Sequence, residues 1–254
     1  MKNKKYIEIN LTNDQFVSKL IYHIENGIPM SFSRLGDGEI HFINNTITQK
    51  TKTVLKEIWG YVDLEIAKNN VLEIINNTIS ETDILGIMDE KNAISQKLNY
   101  NKNIWSIPQD YITNIREKEL LIADHMIFRS QQLGNIYNFE KIIGGRDVCI
   151  ISPRTEELKR KQLSHKLKNN ITYLDVPMGM NLKNRKDIFK QLDTIKEKIV
   201  LYGCSITGKD FGCYLKKKDK IALDFGATLD AWAGLETRSW FKSGGLQNHC
   251  LIKE

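Results

Sequence analysis

Thr12-Asn13-Asp14-Gln15 reads as a capping box, and Phe16, Val17, Leu20, Ile21 and Ile24 behind it recur on one helical stripe. Gly27 ends that helix and Pro29 bars its return. Ile28 to Phe32 alternates apolar residues as a short strand, which empties into Arg34-Leu35-Gly36-Asp37-Gly38-Glu39. A helical stretch is predicted from about Val54 to Ile75 with a break near Gly60. Asp83 to Met88 reads as a buried strand whose Gly86 permits a close neighbour. Asn92 to Glu140 reads as mainly helical, interrupted at Trp105 and Pro108.

Beyond residue 147 the pattern sharpens. Val148 to Ile151, Ile171 to Val176, Ile199 to Tyr202 and Ile221 to Phe225 are apolar runs, each ending in a loop of small or polar residues, with charged helical stretches in the gaps. Strand-helix alternation of this kind predicts an α/β fold, a mostly parallel sheet with helices on both faces. Ligands of such sheets sit outside the carboxyl ends of the strands. Those ends are Ser152-Pro153-Arg154, Pro177-Met178-Gly179, Gly203-Cys204-Ser205 and Gly226-Ala227-Thr228, and the first strand delivers Arg34 to Glu39 to the same edge.

Composition narrows the class. At 254 residues with 41% hydrophobic and 27% charged, the chain has apolar material for a full core, which excludes disorder, collagen and small disulfide scaffolds. There is no internal repeat, low-complexity tract or linker, so a single domain over 1–254 is expected. No apolar run reaches the roughly 18 residues that span a bilayer, and the opening residues lack a signal-peptide core. The expectation is a soluble cytoplasmic protein without a transmembrane segment, with peripheral membrane contact left open. Cys149, Cys204, Cys213 and Cys250 form no Cys-x-x-Cys and read as free buried thiols.

A net charge of +6 suits nucleic acid, acidic lipid or a phosphorylated small molecule. The chain has eight arginines against 29 lysines, and arginine is the better fork for phosphate. Arg34, Arg129 and Arg154 are therefore the cations to inspect.

Two carboxylates one residue apart, Asp37 and Glu39, can aim at a common point from a strand end or tight loop, and Gly36 and Gly38 let the backbone approach a ligand. Paired oxygens suit a hard divalent ion that also holds a diphosphate, with Arg34 on the same phosphate. The same segment also reads as an Asp-Gly turn with solvated carboxylates, and His41 as a packing residue. Gly203-Cys204-Ser205-Ile206-Thr207-Gly208-Lys209-Asp210 nearly satisfies the P-loop pattern, but Asp210 stands where a Ser or Thr hydroxyl should hold magnesium. Asp224-Phe225-Gly226 lacks the companion motifs of a protein kinase, and Asp224 at a strand end can bond a ribose. Asp230 and Glu236 are candidate bases. Trp232 and Trp240 read as core or as a sugar platform, and Lys216-Lys217-Lys218 as a solvated helix end.

Together these residues resemble the GT-D type glycosyltransferases of bacterial glycan and adhesin-glycosylation loci. Ser33-Arg34-Leu35-Gly36-Asp37-Gly38-Glu39 is similar to that family's Arg-apolar-Gly-Asp-Gly-Glu signature with its Asp-x-Glu metal site. Phe128-Arg129, Ile199 to Gly208, Asp224-Phe225-Gly226 and Asp230 follow in the family's order. Gly203-Cys204-Ser205-Ile206 departs from the family's Gly-Pro-Thr-Ala, and Trp232-Ala233-Gly234 from a more acidic, aromatic stretch.

The resemblance implies a Rossmann-like fold and a divalent ion, Mn²⁺ or Mg²⁺, held by Asp37 and Glu39. It also implies a nucleotide diphosphate sugar donor, with a UDP-sugar as first expectation, and a glycan, glycoprotein or glycolipid acceptor, with no nucleic acid. Asp37, Glu39 and Asp230 are the expected catalytic residues. Donor contacts are expected from Arg34, Gly36, Gly38, Arg129, Arg154, Gly203, Ser205, Asp224 and Gly226. Two rival readings are a phosphotransferase or hydrolase using the Gly203 to Lys209 turn, and a non-enzymatic polyanion-binding module.

Overall fold

The computed structural model describes residues 8–47, 49, 52–53, 64–88, 107, 109–116, 119–129, 132–160, 163, 167, 170–177, 182–235 and 237. The expected readings of Val54 to Gly60, Trp105, Pro108, Met178, Gly179, Glu236, Trp240 and Cys250 lie outside the described residues.

The chain opens with strand β1 (Glu8–Asn10) and helix α1 (Asn13–Asn26), whose Thr12–Gln15 capping box forms as the sequence predicts and whose C-cap Gly27 sits at φ 62°. Strand β2 is Met30–Arg34, two residues later than its apolar alternation suggests, because it begins only after Pro29. Helix α2 (Asp37–Ile43) follows at once, then α3 (Leu64–Glu81), β3 (Ile84–Ile87), α4 (Gln109–Ile115) and β4 (Leu120–Asp124). After the 3₁₀ turn Ile127–Arg129 come α5 (Ile136–Ile143), β5 (Val148–Ser152), α6 (Thr155–Arg160), β6 (Ile171–Asp175) and α7 (Leu182–Leu192). The last elements are β7 (Ile199–Tyr202), the 3₁₀ turn Ile206–Gly208, α8 (Phe211–Lys217), β8 (Ile221–Asp224) and α9 (Thr228–Trp232).

The described strands form one eight-stranded sheet in the order β1-β4-β3-β2-β8-β7-β5-β6, with every pairing parallel. The expectation of an α/β fold with a parallel sheet holds. Two strands escaped the sequence reading. β4 lies inside the stretch read as helical, and β1 in residues to which the sequence pattern assigns no element. A short apolar run such as Leu120 to Ala123 has no periodicity that separates a buried strand from a buried helix, and a three-residue edge strand carries almost no pattern at all.

Alternate strand residues enter different layers. Phe32, Ile84, Ile150, Leu201 and Leu223 pack against α1 and α5 with Phe16, Leu20, Phe139 and Trp232. Leu85 packs on the other face with α2 and α3, and Ile151, Val200 and Tyr202 with α7 and α8. Phe128 and Phe225 stack with centroids 3.9 Å apart, and buried Trp232 donates its indole N–H to the Gly134 carbonyl at 2.6 Å. Trp232 is thus a core residue, not a sugar platform. No helix among the described residues is long and apolar enough to cross a membrane.

Strand order reverses between β2 and β8. β2 is followed in space by β3 and β4 on one side, β8 by β7, β5 and β6 on the other. A crevice outside the carboxyl ends of two such strands is where ligands of open parallel sheets bind.

Cys149, Cys204 and Cys213 are free and buried, and burial pushes the thiols of Cys149 and Cys213 up to about 11 and about 12. Ellman's reagent at pH 8 is therefore expected to leave a native Cys250→Ser variant unlabelled and to label it fully in denaturant; rapid labelling of the native variant contradicts the packing described.

Candidate functional site

Arg34 ends β2 and Asp224 ends β8, so parallel pairing sets their side chains together at the reversal point. Both are buried. Asp224 Oδ1 accepts from the Arg34 guanidinium at 3.1 Å, and Oδ2 accepts from the Arg34 backbone N–H at 3.2 Å and from Lys209 Nζ at 2.7 Å. Burial by itself raises the pKa of Asp224, yet Lys209 and Arg34 outweigh it and hold the carboxyl below its ordinary value. Removing one partner from such a buried cluster costs about 3–5 kcal/mol, because the remaining charge is left uncompensated.

Three glycines make room for these charges. A Cβ on Gly86 would lie 2.9 Å from Arg34 Cγ, and one on Gly226, at φ 50°, would strike the Arg34 guanidinium. The close neighbour expected at Gly86 is thus Arg34 itself. Gly203 is where two strand-end turns meet, since its Cβ would lie 2.8 Å from the Gly226 carbonyl oxygen.

Asp37 and Glu39 do not leave a strand end or loop. They occupy the first turn of α2, where residues two apart diverge around the axis. Asp37 is exposed and its Oδ1 accepts from the Gly38 N–H at 2.9 Å. Glu39 is buried; its Oε2 accepts from the Gly36 N–H at 2.7 Å and its Oε1 faces Lys209 Nζ at 3.6 Å. Among the described residues no three His, Cys, Asp or Glu side chains converge as a self-sufficient metal cage. Magnesium-type ions that travel with a diphosphate need only one or two protein carboxylates, the remaining ligands being water and phosphate oxygens. Asp37 and Glu39 each keep one oxygen clear of these backbone bonds, and a hard carboxylate oxygen from either suits such an ion, which needs no more than one of them in direct contact.

His125, just past β4, was missed by the sequence reading. It is buried with Nε2 close to Gly36, and burial together with Arg34, Arg129 and Lys209 drives its pKa well below the usual value, so the imidazole is neutral. Arg129, in the 3₁₀ turn behind it, is thereby placed near the cluster. Arg154 follows β5 and lies 3.3 Å from Glu157 and 3.9 Å from Asp230, whose Oδ2 also accepts from the Thr237 hydroxyl at 2.6 Å. Ser205 is exposed with φ 57° and ψ −161°, a conformation that costs a non-glycine residue about 1–3 kcal/mol and that concentrates at ligand sites.

The near P-loop is not built to cradle phosphate. The N–H groups of Gly208 and Lys209 close the turn on the Ser205 and Ile206 carbonyls at 3.3 and 3.4 Å, and Lys209 turns inward to Asp224. Arg185 on α7, also unremarked in the sequence, clamps this turn by donating to the Thr207 carbonyl and to Asp210 Oδ2, each at 2.6 Å. Asp224 likewise faces Arg34 and Lys209, where the sequence suggested a ribose contact. Lys216, Lys217 and Lys218 pair with Asp83, Glu81 and Asp193, so the basic run is taken up in ion pairs.

The GT-D fold-like domain family model matches residues 11–232. Solved structures share the architecture. One is a domain of unknown function 1792 described as having a distinct glycosyltransferase fold, at 15% identity and TM-score 0.59 over 96% of this chain and 84% of that one. A second, selenomethionine-substituted structure of domain of unknown function 1792 gives 14% identity and TM-score 0.58 over the same 96% and 84%. A new glycosyltransferase with this domain from Streptococcus sanguinis gives 17% and 0.56 over 93% and 85%. No curated protein matches the chain.

Gly226→Ala is expected to destabilise the protein by about 2 kcal/mol or more, combining positive φ with displacement of Arg34. Gly234→Ala, at φ 75° with nothing within 4 Å, is expected to lose only about 1 kcal/mol. Denaturant melts of the two variants measure the difference, and equal losses would mean that Arg34 is not held where described.

Proposed function

The chain belongs to the GT-D-like family, and from that premise we propose that it is a glycosyltransferase that moves a sugar from a nucleoside diphosphate donor, first of all a UDP-sugar, to a glycan, glycoprotein or glycolipid acceptor. The observation that carries the reading is the meeting, at the β2/β8 reversal point, of Glu39, from the first turn of α2, with the Lys209–Asp224–Arg34 cluster, Asp37 lying exposed in the same turn. Few other places on an open parallel sheet combine carboxylates for a hard cation with fixed positive charge for a diphosphate.

On this reading Asp37 and Glu39 hold Mg²⁺ or Mn²⁺. Such an ion neutralises charge that grows on the diphosphate as the anomeric bond breaks. The chain's own contribution is preorganisation. Arg34 is locked by Asp224 and cannot relax away from the developing charge, so its field needs no reorganisation during the reaction. The neutral His125 adds no competing positive charge and fills the space behind Gly36. Arg129 adds positive charge from the β4 end. Asp230, held by Thr237 and near Arg154, is the carboxylate assigned to take the acceptor hydroxyl's proton. The same proposal places the protein in the cytoplasm as one catalytic domain.

The test is a thermal-shift panel of nucleoside diphosphates with and without Mn²⁺, on the parent and on Asp37→Ala with Glu39→Ala. UDP is expected to stabilise the parent only with Mn²⁺, and the double variant not at all. Transfer rate is expected to fall roughly a thousandfold in the variant, since a charge contact near 4 Å at an effective dielectric of 20 is worth about 4 kcal/mol. Stabilisation of the parent by no nucleoside diphosphate, with or without Mn²⁺, sinks the proposal.

A further inference from the structure

Glu39 and Lys209 oppose each other where the proposed divalent ion would also have to bind. Glu39 is 6% exposed and Lys209 7%. Oε2 of Glu39 is taken by the Gly36 N–H at 2.7 Å, so the oxygen left for an ion is Oε1, which faces Lys209 Nζ at 3.6 Å. The ammonium is not free to swing aside. Its 2.7 Å bond to Asp224 holds the tip, and the Arg185 contacts to Thr207 and Asp210 hold the turn that carries it. Asp210, the residue that breaks the P-loop pattern, thus serves as the anchor for Lys209.

A fixed positive charge against Oε1 opposes a second cation at the same oxygen. An ion arriving alone meets that repulsion in full. One that arrives with a diphosphate brings negative charge that offsets it. Resting on the transferase reading, we propose that Lys209 is a built-in competitor for the divalent ion at Glu39, so that ion binding is coupled to arrival of the donor's diphosphate. Lys209 is in this sense a positioning residue that acts through Glu39. It faces a buried carboxylate with positive charge while the ion is away and makes the loaded state depend on both ligands.

The experiment is calorimetric titration of Mn²⁺, alone and with saturating UDP, into the parent, Lys209→Met, Lys209→Arg, and Lys209→Met combined with Glu39→Gln, each checked for a native melt. Lys209→Met is expected to bind Mn²⁺ alone about tenfold more tightly than the parent, a coupling of the size found between neighbouring sites. Lys209→Arg, which keeps the charge, is expected to stay at the parent level, and Glu39→Gln to remove the gain. If the parent binds Mn²⁺ with UDP but Lys209→Met binds Mn²⁺ alone no better, the competitor is overturned and the transferase reading stands. If neither protein takes up Mn²⁺ under either condition, both fall. Lys209→Gln, which keeps a donor for Asp224, replaces the methionine variant should that one not fold, with the same expectation.

Discussion

A single buried carboxylate ties the two halves of the sheet together at the point where function is expected. Asp224 accepts from the backbone and side chain of Arg34 on β2 and from Lys209 on the turn after β7, so one residue fixes a strand end, a guanidinium and an ammonium. Neither cation could be buried at this edge without it, and Asp224 could not stay ionised at such depth without them. The glycines around it follow from the same constraint. Gly86 and Gly226 leave the volume that Arg34 fills, and Gly203 lets the two turns close on each other.

The rest of the architecture delivers parts to this cluster. The all-parallel sheet points its strand ends in one direction, and the reversal between β2 and β8 opens the crevice there. Aromatic packing of Phe128 on Phe225 joins the segments that follow β4 and β8 across the ends of β3 and β2, and His125 and Arg129 belong to the first of these segments, near Arg34. From the opposite layer, α7 reaches in with Arg185 and pins the Lys209 turn. The site is therefore a product of both layers and not of one loop.

Much of this was legible in the residues. The four runs from Val148 to Phe225 become β5, β6, β7 and β8 because apolar segments separated by charged helices have one economical arrangement, and the motif from Arg34 to Glu39 marked the right edge of the sheet. Local conformation at that motif was less legible. Asp-Gly-Glu suggests a turn, yet the Glu39 carboxylate accepts from the Gly36 N–H three residues before it and starts a helix, a local cap disguised by two glycines that favour turns. The roles of Lys209 and Asp224 were hidden for a different reason. Fifteen positions apart on separate strand-end turns, they looked like a phosphate lysine and a ribose acid, and only their pairing with Arg34 shows them facing each other. His125 carried no motif, and Arg185 looked like any helix-surface arginine.

The central claim is that Asp37 and Glu39, backed by Arg34, form the ion and diphosphate site. The most direct measurement is an anomalous difference map from crystals grown with Mn²⁺ and UDP. The account predicts a manganese peak against the Asp37 and Glu39 carboxylates, with the diphosphate on the Arg34 side of it. A peak at any other carboxylates, or a diphosphate seated in the Gly203 to Lys209 turn with no manganese at Asp37, would contradict it.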